Sequence, residues 1–363
     1  PYAGQNEYYS EILVTIQFDD PFQGPAGNLS KHQKGLLEVR VLNWETAKDW
    51  IISASPRQRG ETVQPFAPLL KSLVDGAEYI IIGPQNFESA NQPLLNHRSS
   101  FGNDSLTTAY VSLEEIYSEF LDDNSEAEAI LAFFENAVNN WSDSLAFALL
   151  MGDIEFVPTM YRGAGEYEYA SDDLLAAIDG DIPAVALGRY PARNVADVEA
   201  FVEKIIAYET NPELGLWRNR ITLAADDVAR PVANDTEHIE YSDSLAINYI
   251  PSFINVQKIY LTEYSEVSDA STSGVIKPEA TQALFDALNN GTAIINYIGH
   301  GSSSSWAQEK LLQKDRGDIQ FINTGMKLPI WIAGTCSWGQ FDNPNTDAFS
   351  EDIIRLPMNG ASA

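Results

Sequence analysis

The spacing of hydrophobic positions changes along this chain. Near the N-terminus, apolar and polar residues alternate over residues 12–18 and 36–42, which predicts two strands. Several Pro and Gly residues lie between these stretches and indicate a turn-rich connection. We therefore expect residues 1–74 to form a β-rich lead-in, or the end of a preceding module.

From Tyr79 onward, short apolar runs alternate with amphipathic stripes. Stripes at the helical period predict helices over residues 127–141 and 195–206, and a third between Pro278 and Gly291. The alternation predicts an α/β fold with a mainly parallel sheet and helices on both faces. The runs that predict buried strands are 79–82, 145–150, 184–187, 221–225, 256–261, 292–298 and 329–333.

Composition and charge narrow the function classes. The chain has 363 residues, with 44% hydrophobic and 11% aromatic residues, which is typical of a globular protein. A net charge of −30 argues against binding to nucleic acid or to an anionic membrane. The single cysteine, Cys336, excludes an internal disulfide and a cysteine-rich zinc site. No apolar run approaches the ~18 residues of a membrane span, and the two ends suggest a fragment of a longer protein.

Residues whose side chains can take part in acid–base or nucleophilic chemistry directly follow several of the predicted strands. Asp226 and Asp227 follow one, His300 follows another, and Cys336 follows a third. The carboxyl ends of parallel strands meet at one edge of a sheet, and neighbouring strands lie about 5 Å apart. If the strands before His300 and Cys336 are neighbours, the thiol and the imidazole face one cleft.

A thiol beside an imidazole is a pair suited to nucleophilic catalysis. The imidazole takes the thiol proton and returns it to a leaving amine, because the thiolate is scarce at neutral pH without such a partner. The backbone N–H groups of Gly301 and Cys336 are candidate oxyanion donors. The alternatives are a cysteine that only fills the core, a structural histidine and a solvated turn at Asp226 and Asp227.

The ordered motifs resemble the gingipain family of cysteine peptidases, in the caspase-like clan. The decisive stretches are 296–301, which ends in Gly299-His300-Gly301, and Thr335-Cys336. Residues 79–87, 116–120, 149–153, 188–191 and 204–209 also match. Blocks 306–309, 327–329 and 341–344 are more similar to the branch of cell-surface sorting enzymes that serve the type IX secretion system.

The resemblance implies a caspase-like fold in two subdomains, 75–215 and 216–363, of which the second is incomplete at its C-terminus. It implies Cys336 as nucleophile and His300 as general acid and base. The third catalytic residue is Asp226 or Asp227. The predicted substrate-binding residues are Asp235, Glu237 and Trp306.

The implied activity is that of a cysteine peptidase or transpeptidase at the outer face of the outer membrane. It removes the C-terminal sorting domain of secreted proteins through a thioester, together with other type IX components, and passes the product to an amine of a surface glycolipid. Two alternatives stay open: a secreted endopeptidase that prefers basic residues, which the acidic charge favours, and a non-catalytic scaffold. No cofactor is expected to be required, no catalytic metal is predicted, and structural calcium is left open.

Overall fold

The chain divides into two compact units, Pro1–Ala67 and Pro68–Ala363. A computed structural model describes residues 70–102, 105–227, 237–269 and 274–362, together with three strands of the first unit. The domain limits expected from the sequence, at residues 74 and 215, stay predictions.

The first unit contains a three-stranded antiparallel sheet in the order β1-β3-β2. Its strands are β1 (Ile12–Gln17), β2 (Ser30–His32) and β3 (Leu36–Val41). The two strands predicted from alternating residues are therefore confirmed, each one residue shorter than predicted.

The second unit contains two separate four-stranded parallel sheets. The first has the order β5-β4-β6-β9. It is built from β4 (Tyr79–Gly83), β5 (Thr108–Ser112), β6 (Phe147–Met151) and β9 (Ala186–Tyr190), and a hairpin of β7 (Met160–Arg162) and β8 (Tyr169–Ser171) precedes β9. Strand β5 escaped prediction because it lies at the sheet edge and carries polar residues at both ends.

The second sheet has the order β11-β10-β14-β18 and is also parallel throughout. Its strands are β10 (Arg220–Ala225), β11 (Asn255–Tyr260), β14 (Ile294–Ile298) and β18 (Ile330–Gly334). The shorter strands between these are β12 (Val267–Ser268), β13 (Val275–Ile276), β15 (Gly301–Ser302), β16 (Ser305–Trp306) and β17 (Leu312–Gln313). All seven predicted strands are present, with ends shifted by at most three residues.

Helices cover both faces of the sheets. Those of the described residues are α1 (Glu88–Ser100), α2 (Leu113–Phe120), α3 (Glu126–Asn140), α4 (Val195–Thr210), α5 (Glu237–Ser244), α6 (Pro278–Asn290) and α7 (Phe349–Arg355). A π-helical turn, Leu245–Tyr249, continues α5. The three predicted helices are confirmed as α3, α4 and α6, and the last begins at Pro278 and ends before Gly291.

The alternation of side chains along each strand explains the layers. In β4, Ile80 and Ile82 pack in the cluster that contains residues of α2 and α3, whereas Ile81 packs in the cluster of α1 and α4. In the second sheet, Ala224 and Tyr297 face α6 and α7, and Leu223 faces α5. Apolar side chains on both faces account for the continuous apolar runs, and the predicted α/β class is confirmed.

Helix α7 connects the layers of the second unit. The Arg355 guanidinium contacts Asp153, just after β6, at 3.0 Å, and donates to the Pro191 carbonyl oxygen, just after β9, at 2.9 Å. Lys204 of α4 donates to the Ile354 carbonyl oxygen at 2.6 Å. None of the helices in the described part of the chain is long and apolar enough to cross a bilayer.

Candidate active site

The strands before His300 and Cys336 are neighbours. Strand β14 pairs in parallel with β18, and Ile298 lies opposite Gly334 in the register. Beyond that pair, the N–H of Gly299 donates to the Gly334 carbonyl oxygen at 3.2 Å. His300 is the next residue after Gly299, and Cys336 is two residues after Gly334. The condition for bringing the two side chains to one edge of the sheet, that these strands are neighbours, is therefore met.

The two loops also contact each other directly. An ideal Cβ placed on Gly301 would lie 2.4 Å from Thr335 Oγ1 and 3.0 Å from the Ser305 carbonyl oxygen. The backbone that follows His300 therefore packs against the residue that precedes Cys336. Thr335 occupies the space that a side chain at position 301 would need.

Both reactive side chains are open to solvent. His300 and Cys336 are exposed, and Cys336 carries a free thiol. The alternative interpretation of Cys336 as a small residue of the core is therefore wrong. An exposed thiol at a strand end, beside a loop that carries an exposed imidazole, is available to a substrate.

Asp226 holds the backbone of His300. It follows β10, the other neighbour of β14, and is buried with 2% of its surface exposed. Its carboxylate accepts hydrogen bonds from the N–H of His300 at 3.0 Å and from the N–H of Asp227 at 2.9 Å. Burial raises the pKa of the Asp226 carboxyl, and these two N–H groups partly offset the rise.

Asp227 has different partners. Its carboxylate accepts a hydrogen bond from the buried Lys277 ammonium at 2.5 Å, and Lys277 also donates to the Leu261 carbonyl oxygen at 2.7 Å. The sequence left the third catalytic residue open between the two aspartates. Asp226 contacts the His300 backbone and Asp227 forms an ion pair with buried Lys277, and the choice of the third catalytic residue stays a prediction.

Glu309 completes an acidic group behind His300, and sequence reasoning did not assign it a chemical role. One oxygen of each carboxylate in the set Asp226, Asp227 and Glu309 lies within 4.8 Å of the others. Glu309 is 2% exposed, and its burial, followed by the charges of Asp227 and Asp226, raises its pKa to about 7. A neutral Glu309 lowers the repulsion in this group, and Lys277 supplies a positive charge.

A second acidic group lies near α7 and consists of Asp153, Asp347 and Glu351. The Arg355 guanidinium contacts Asp153 at 3.0 Å and Asp347 at 2.9 Å. In the described residues, each of the two acidic groups thus contains a cationic side chain of the chain itself. Structural calcium stays a prediction.

His238 is a neighbour of the site that the sequence did not reveal. Its ring meets the His300 ring edge to face, with 5.0 Å between the ring centroids and an interplanar angle of 87°. The preceding residue, Glu237, is exposed at the start of α5 and accepts a hydrogen bond from Tyr241. The substrate-binding role of Glu237 stays a prediction, and Asp235 lies outside the described residues.

Trp306 requires a correction, because it was predicted to bind substrate. Its side chain is completely buried, and its ring stacks on Tyr297 with 4.4 Å between centroids and 8° between planes. It also contacts Trp331 and Trp338. The β15–β16 hairpin pairs Trp306 with Gly301, so Trp306 packs in the core beside the loop of His300. The oxyanion role of the Gly301 and Cys336 N–H groups stays a prediction.

A cleft of about 610 Å³ opens beside Cys336. One wall comes from the first sheet and its hairpin, with Tyr169, Asp172 and Arg189, and the other comes from Thr335 and Ser337, the two neighbours of Cys336. Asp172 fixes Arg189 through two hydrogen bonds of 2.7 and 2.8 Å. Glu168, Asp342 and Glu351 also line the cleft, which makes it acidic.

Comparison with solved structures confirms the predicted caspase-like fold. The crystal structure of the Arg-specific cysteine proteinase gingipain R has a TM-score of 0.60 at 20% identity and covers 82% of this chain and 62% of that chain. The crystal structure of dimeric latent PorU from Porphyromonas gingivalis has a TM-score of 0.34 and covers 57% of this chain and 23% of that chain. That likeness is too low to support any inference about the branch.

Sequence comparison gives the same family. Gingipain R2 of Porphyromonas gingivalis is 22% identical over 289 residues, which is 79% of this chain and 35% of the relative. Lys-gingipain of the same organism is 22% identical over 290 residues, which is 78% of this chain and 15% of the relative. The chain therefore spans about a third or less of the length of these two relatives. The model of peptidase family C25 matches residues 72–363, and the chain belongs to this family of cysteine peptidases.

Proposed function

We propose that the chain cleaves peptide bonds with Cys336 as nucleophile and His300 as general base and acid. The observation that carries this proposal is the pairing of β14 with β18, which sets two loops with an exposed imidazole and an exposed thiol in direct contact. Asp226 supports the pair by holding the His300 backbone.

In the proposed reaction, His300 takes the thiol proton and the sulfur of Cys336 attacks the peptide carbonyl carbon. The C–N bond then breaks, the leaving amine takes the proton from His300, and a thioester remains on Cys336. Water attacks the thioester to give a carboxylic acid and the free thiol. An amine in place of water gives a new amide and the same free thiol.

The test uses the fact that Cys336 is the only cysteine. A peptide with a thiol-reactive electrophile labels the wild-type chain once, at Cys336, and Cys336→Ala abolishes both labelling and peptide cleavage. We expect His300→Gln to slow labelling at least 100-fold, because proton transfer by a positioned side chain contributes about 10² to 10⁴ in rate. Mass spectrometry identifies the adduct.

His97→Gln is the matched control. His97 lies in helix α1, which covers the first sheet, and its ring contacts the Glu209 carboxylate at 2.7 Å. The side-chain amide of glutamine preserves a hydrogen-bond donor toward this carboxylate. Its labelling rate stays within about twofold of wild type. Cleavage by Cys336→Ala at the wild-type rate would contradict the catalytic role, and a folded wild-type chain that resists labelling would favour a non-catalytic scaffold.

The finer proposal is the sorting activity. In it, the chain removes the C-terminal sorting domain of type IX secreted proteins and passes the acyl group to a glycolipid amine, at the outer face of the outer membrane and with other type IX components as partners. The similarity of blocks 306–309, 327–329 and 341–344 to sorting enzymes supports it. The burial of Trp306 makes the first block a supporting element of the fold.

A second candidate is an endopeptidase that prefers basic residues. The exposed Glu237 beside His238, and the acidic side chains along the cleft, favour a cationic substrate group. The two candidate functions are separated by measuring the cleavage of short peptides with Arg, Lys or a neutral residue before the scissile bond. A free amine is added to the same reactions as a possible acyl acceptor. Rapid turnover of the basic peptides, weakened by Glu237→Gln, supports the endopeptidase. Indifference to them, with the added amine incorporated into a cleaved client protein, supports the sorting enzyme.

A further inference from the structure

Tyr297 is a buried residue of β14 whose hydroxyl reaches the loop that carries His300. Its side chain has no exposed surface and packs in the cluster on the α6 and α7 side of the sheet. The hydroxyl donates a hydrogen bond to the His300 carbonyl oxygen at 2.7 Å. Asp226 Oδ2 lies farther from the hydroxyl oxygen, at 3.4 Å, so the His300 carbonyl oxygen receives the hydroxyl proton.

Both peptide groups that flank the His300 Cα are therefore held. The N–H of His300 donates to Asp226 at 3.0 Å, and the carbonyl oxygen accepts from Tyr297 and, at 2.8 Å, from the N–H of Ala307. His300 lies between Gly299 and Gly301, and glycine has the largest backbone freedom of any residue. A loop of this composition needs external restraint to keep one conformation.

Gly299 leaves the space that the two groups holding His300 occupy. An ideal Cβ on Gly299 would lie 2.5 Å from the Tyr297 hydroxyl oxygen and 2.4 Å from Asp226 Cβ. Any side chain at position 299 would therefore collide with both groups that hold His300. The missing side chain lets the Tyr297 hydroxyl and the Asp226 carboxylate reach the backbone of the loop from within the protein.

We propose that the Tyr297 hydroxyl is a positioning group for His300. By holding the His300 carbonyl oxygen, it fixes the backbone that carries the imidazole and so keeps the imidazole in place for proton transfer with Cys336. This inference rests on the proposed function. The hydroxyl does not touch the substrate, and it acts only through the His300 backbone. Burial, followed by the charge of Asp226, raises the pKa of Tyr297 well above its usual value, so the hydroxyl stays a donor.

Tyr297→Phe removes the hydroxyl and leaves the aromatic ring in place. It stacks on Trp306, and Tyr297→Phe preserves that stack and its volume. The variant leaves no new unsatisfied group at His300, because the carbonyl oxygen still accepts from Ala307. We therefore expect a folded protein whose midpoint of thermal unfolding stays within a few degrees of wild type.

Tyr190→Phe is the matched control. Tyr190 is also buried, its ring stacks on Phe201 with 4.0 Å between centroids, and its hydroxyl donates to the Asp197 carbonyl oxygen at 3.3 Å. It belongs to β9 of the first sheet and touches neither His300 nor Cys336. Both variants lose one buried hydroxyl that bonds a backbone carbonyl, and only Tyr297→Phe loses a contact to the loop of His300.

The experiment measures kcat and KM for peptide cleavage together with the NMR signals of the four histidine rings, of which the His300 signal is assigned with His300→Gln. We expect Tyr297→Phe to lower kcat about tenfold, to change KM less than twofold and to shift the His300 signal. Misplacement of a catalytic group by 1 Å costs up to about 10²-fold. Tyr190→Phe changes none of these quantities by more than twofold and leaves the His300 signal in place.

Two outcomes overturn the inference: an unchanged kcat with an unmoved His300 signal in Tyr297→Phe, or equal losses in Tyr190→Phe. Failure of the proposed function is recognised separately, because Cys336→Ala would then cleave the peptide. In that case the His300 signal alone decides whether Tyr297 positions the imidazole.

Discussion

At the scale of single residues, Gly301 sets how closely the two reactive loops pack. Its φ lies outside the left-handed region, so the need for glycine comes from space alone. Thr335 Oγ1 lies 2.4 Å from an ideal Cβ at this position, and Thr335 Cγ2 lies 3.3 Å from it. Gly339, three residues after Cys336, has no heavy atom within 4 Å of an ideal Cβ.

We predict that Gly301→Ala lowers kcat/KM for peptide cleavage at least tenfold, because the added methyl group pushes the His300 loop away from Thr335. Gly339→Ala should leave kcat/KM within twofold of wild type. The double variant Gly301→Ala with Thr335→Ala removes two of the three close atoms, and we expect it to recover part of the loss relative to Thr335→Ala alone. A Gly301→Ala variant with wild-type kcat/KM would show that the loops do not need this contact.

At the scale of elements, the C-terminal end of α7 depends on one lysine. Lys204 of α4 is completely buried, and its ammonium donates to the carbonyl oxygens of Ile354, Leu356 and Asn359 at 2.6, 2.9 and 3.4 Å. The last carbonyls of a helix lack partners within the helix. A cation at this end also interacts favourably with the helix dipole.

Helix α7 in turn supports the loop after Cys336. Ser350, in its first turn, donates to the Trp338 carbonyl oxygen at 2.8 Å, and Phe349 contacts the Trp338 ring. Lys204 is thus linked to the loop after Cys336 through α7.

We predict that Lys204→Met lowers the free energy of unfolding by about 2 kcal/mol, since buried carbonyl groups lose their donor at about 1–3 kcal/mol. The similar length of methionine preserves packing. Lys71→Met is the control, because Lys71 is exposed and its ion-pair partner Asp122 lies 4.0 Å away, a contact worth about 0–1 kcal/mol. Urea titrations of both variants measure the difference, and equal effects would refute a special role for Lys204.

At the scale of the whole molecule, negative charge is both abundant and partly buried. The net charge is −30, and the described residues include Glu309 and Glu351, whose burial raises the pKa of each to about 7. An acid whose pKa is higher in the folded state stabilises that state below its unfolded pKa. This contribution is lost as the pH rises through the folded value. The stability that the two protonated side chains contribute therefore falls as the pH rises from about 4.5 to about 7, and it stays lost above pH 7.

We predict that Glu309→Gln raises the free energy of unfolding by up to about 3 kcal/mol at pH 8 and by about 1 kcal/mol or less at pH 5, at 1.36 kcal/mol per pKa unit. Glutamine mimics the protonated side chain at every pH. Glu135→Gln, on the exposed side of α3, is the control and should change stability equally little at both pH values. A gain that does not depend on pH would contradict the assignment to ionisation of Glu309.

The sequence by itself determined the α/β class and the strands of both sheets apart from β5, and it singled out His300 and Cys336 as the proposed reactive pair. These features depend on local patterns: strand-length apolar runs, stripes at the helical period, and polar residues placed directly after strands. Such patterns persist in the sequence whatever the rest of the chain does. The motifs around His300 and Cys336 were visible for the same reason.

Only the tertiary structure decided which groups support that pair. Asp226 meets His300 across 74 residues, and Asp227 meets Lys277 across 50 residues. The contact of His238 with His300 and the burial of Trp306 likewise result from packing between distant segments. No local pattern encodes such contacts, because they depend on how the sheets, the hairpin and α5 come together in three dimensions.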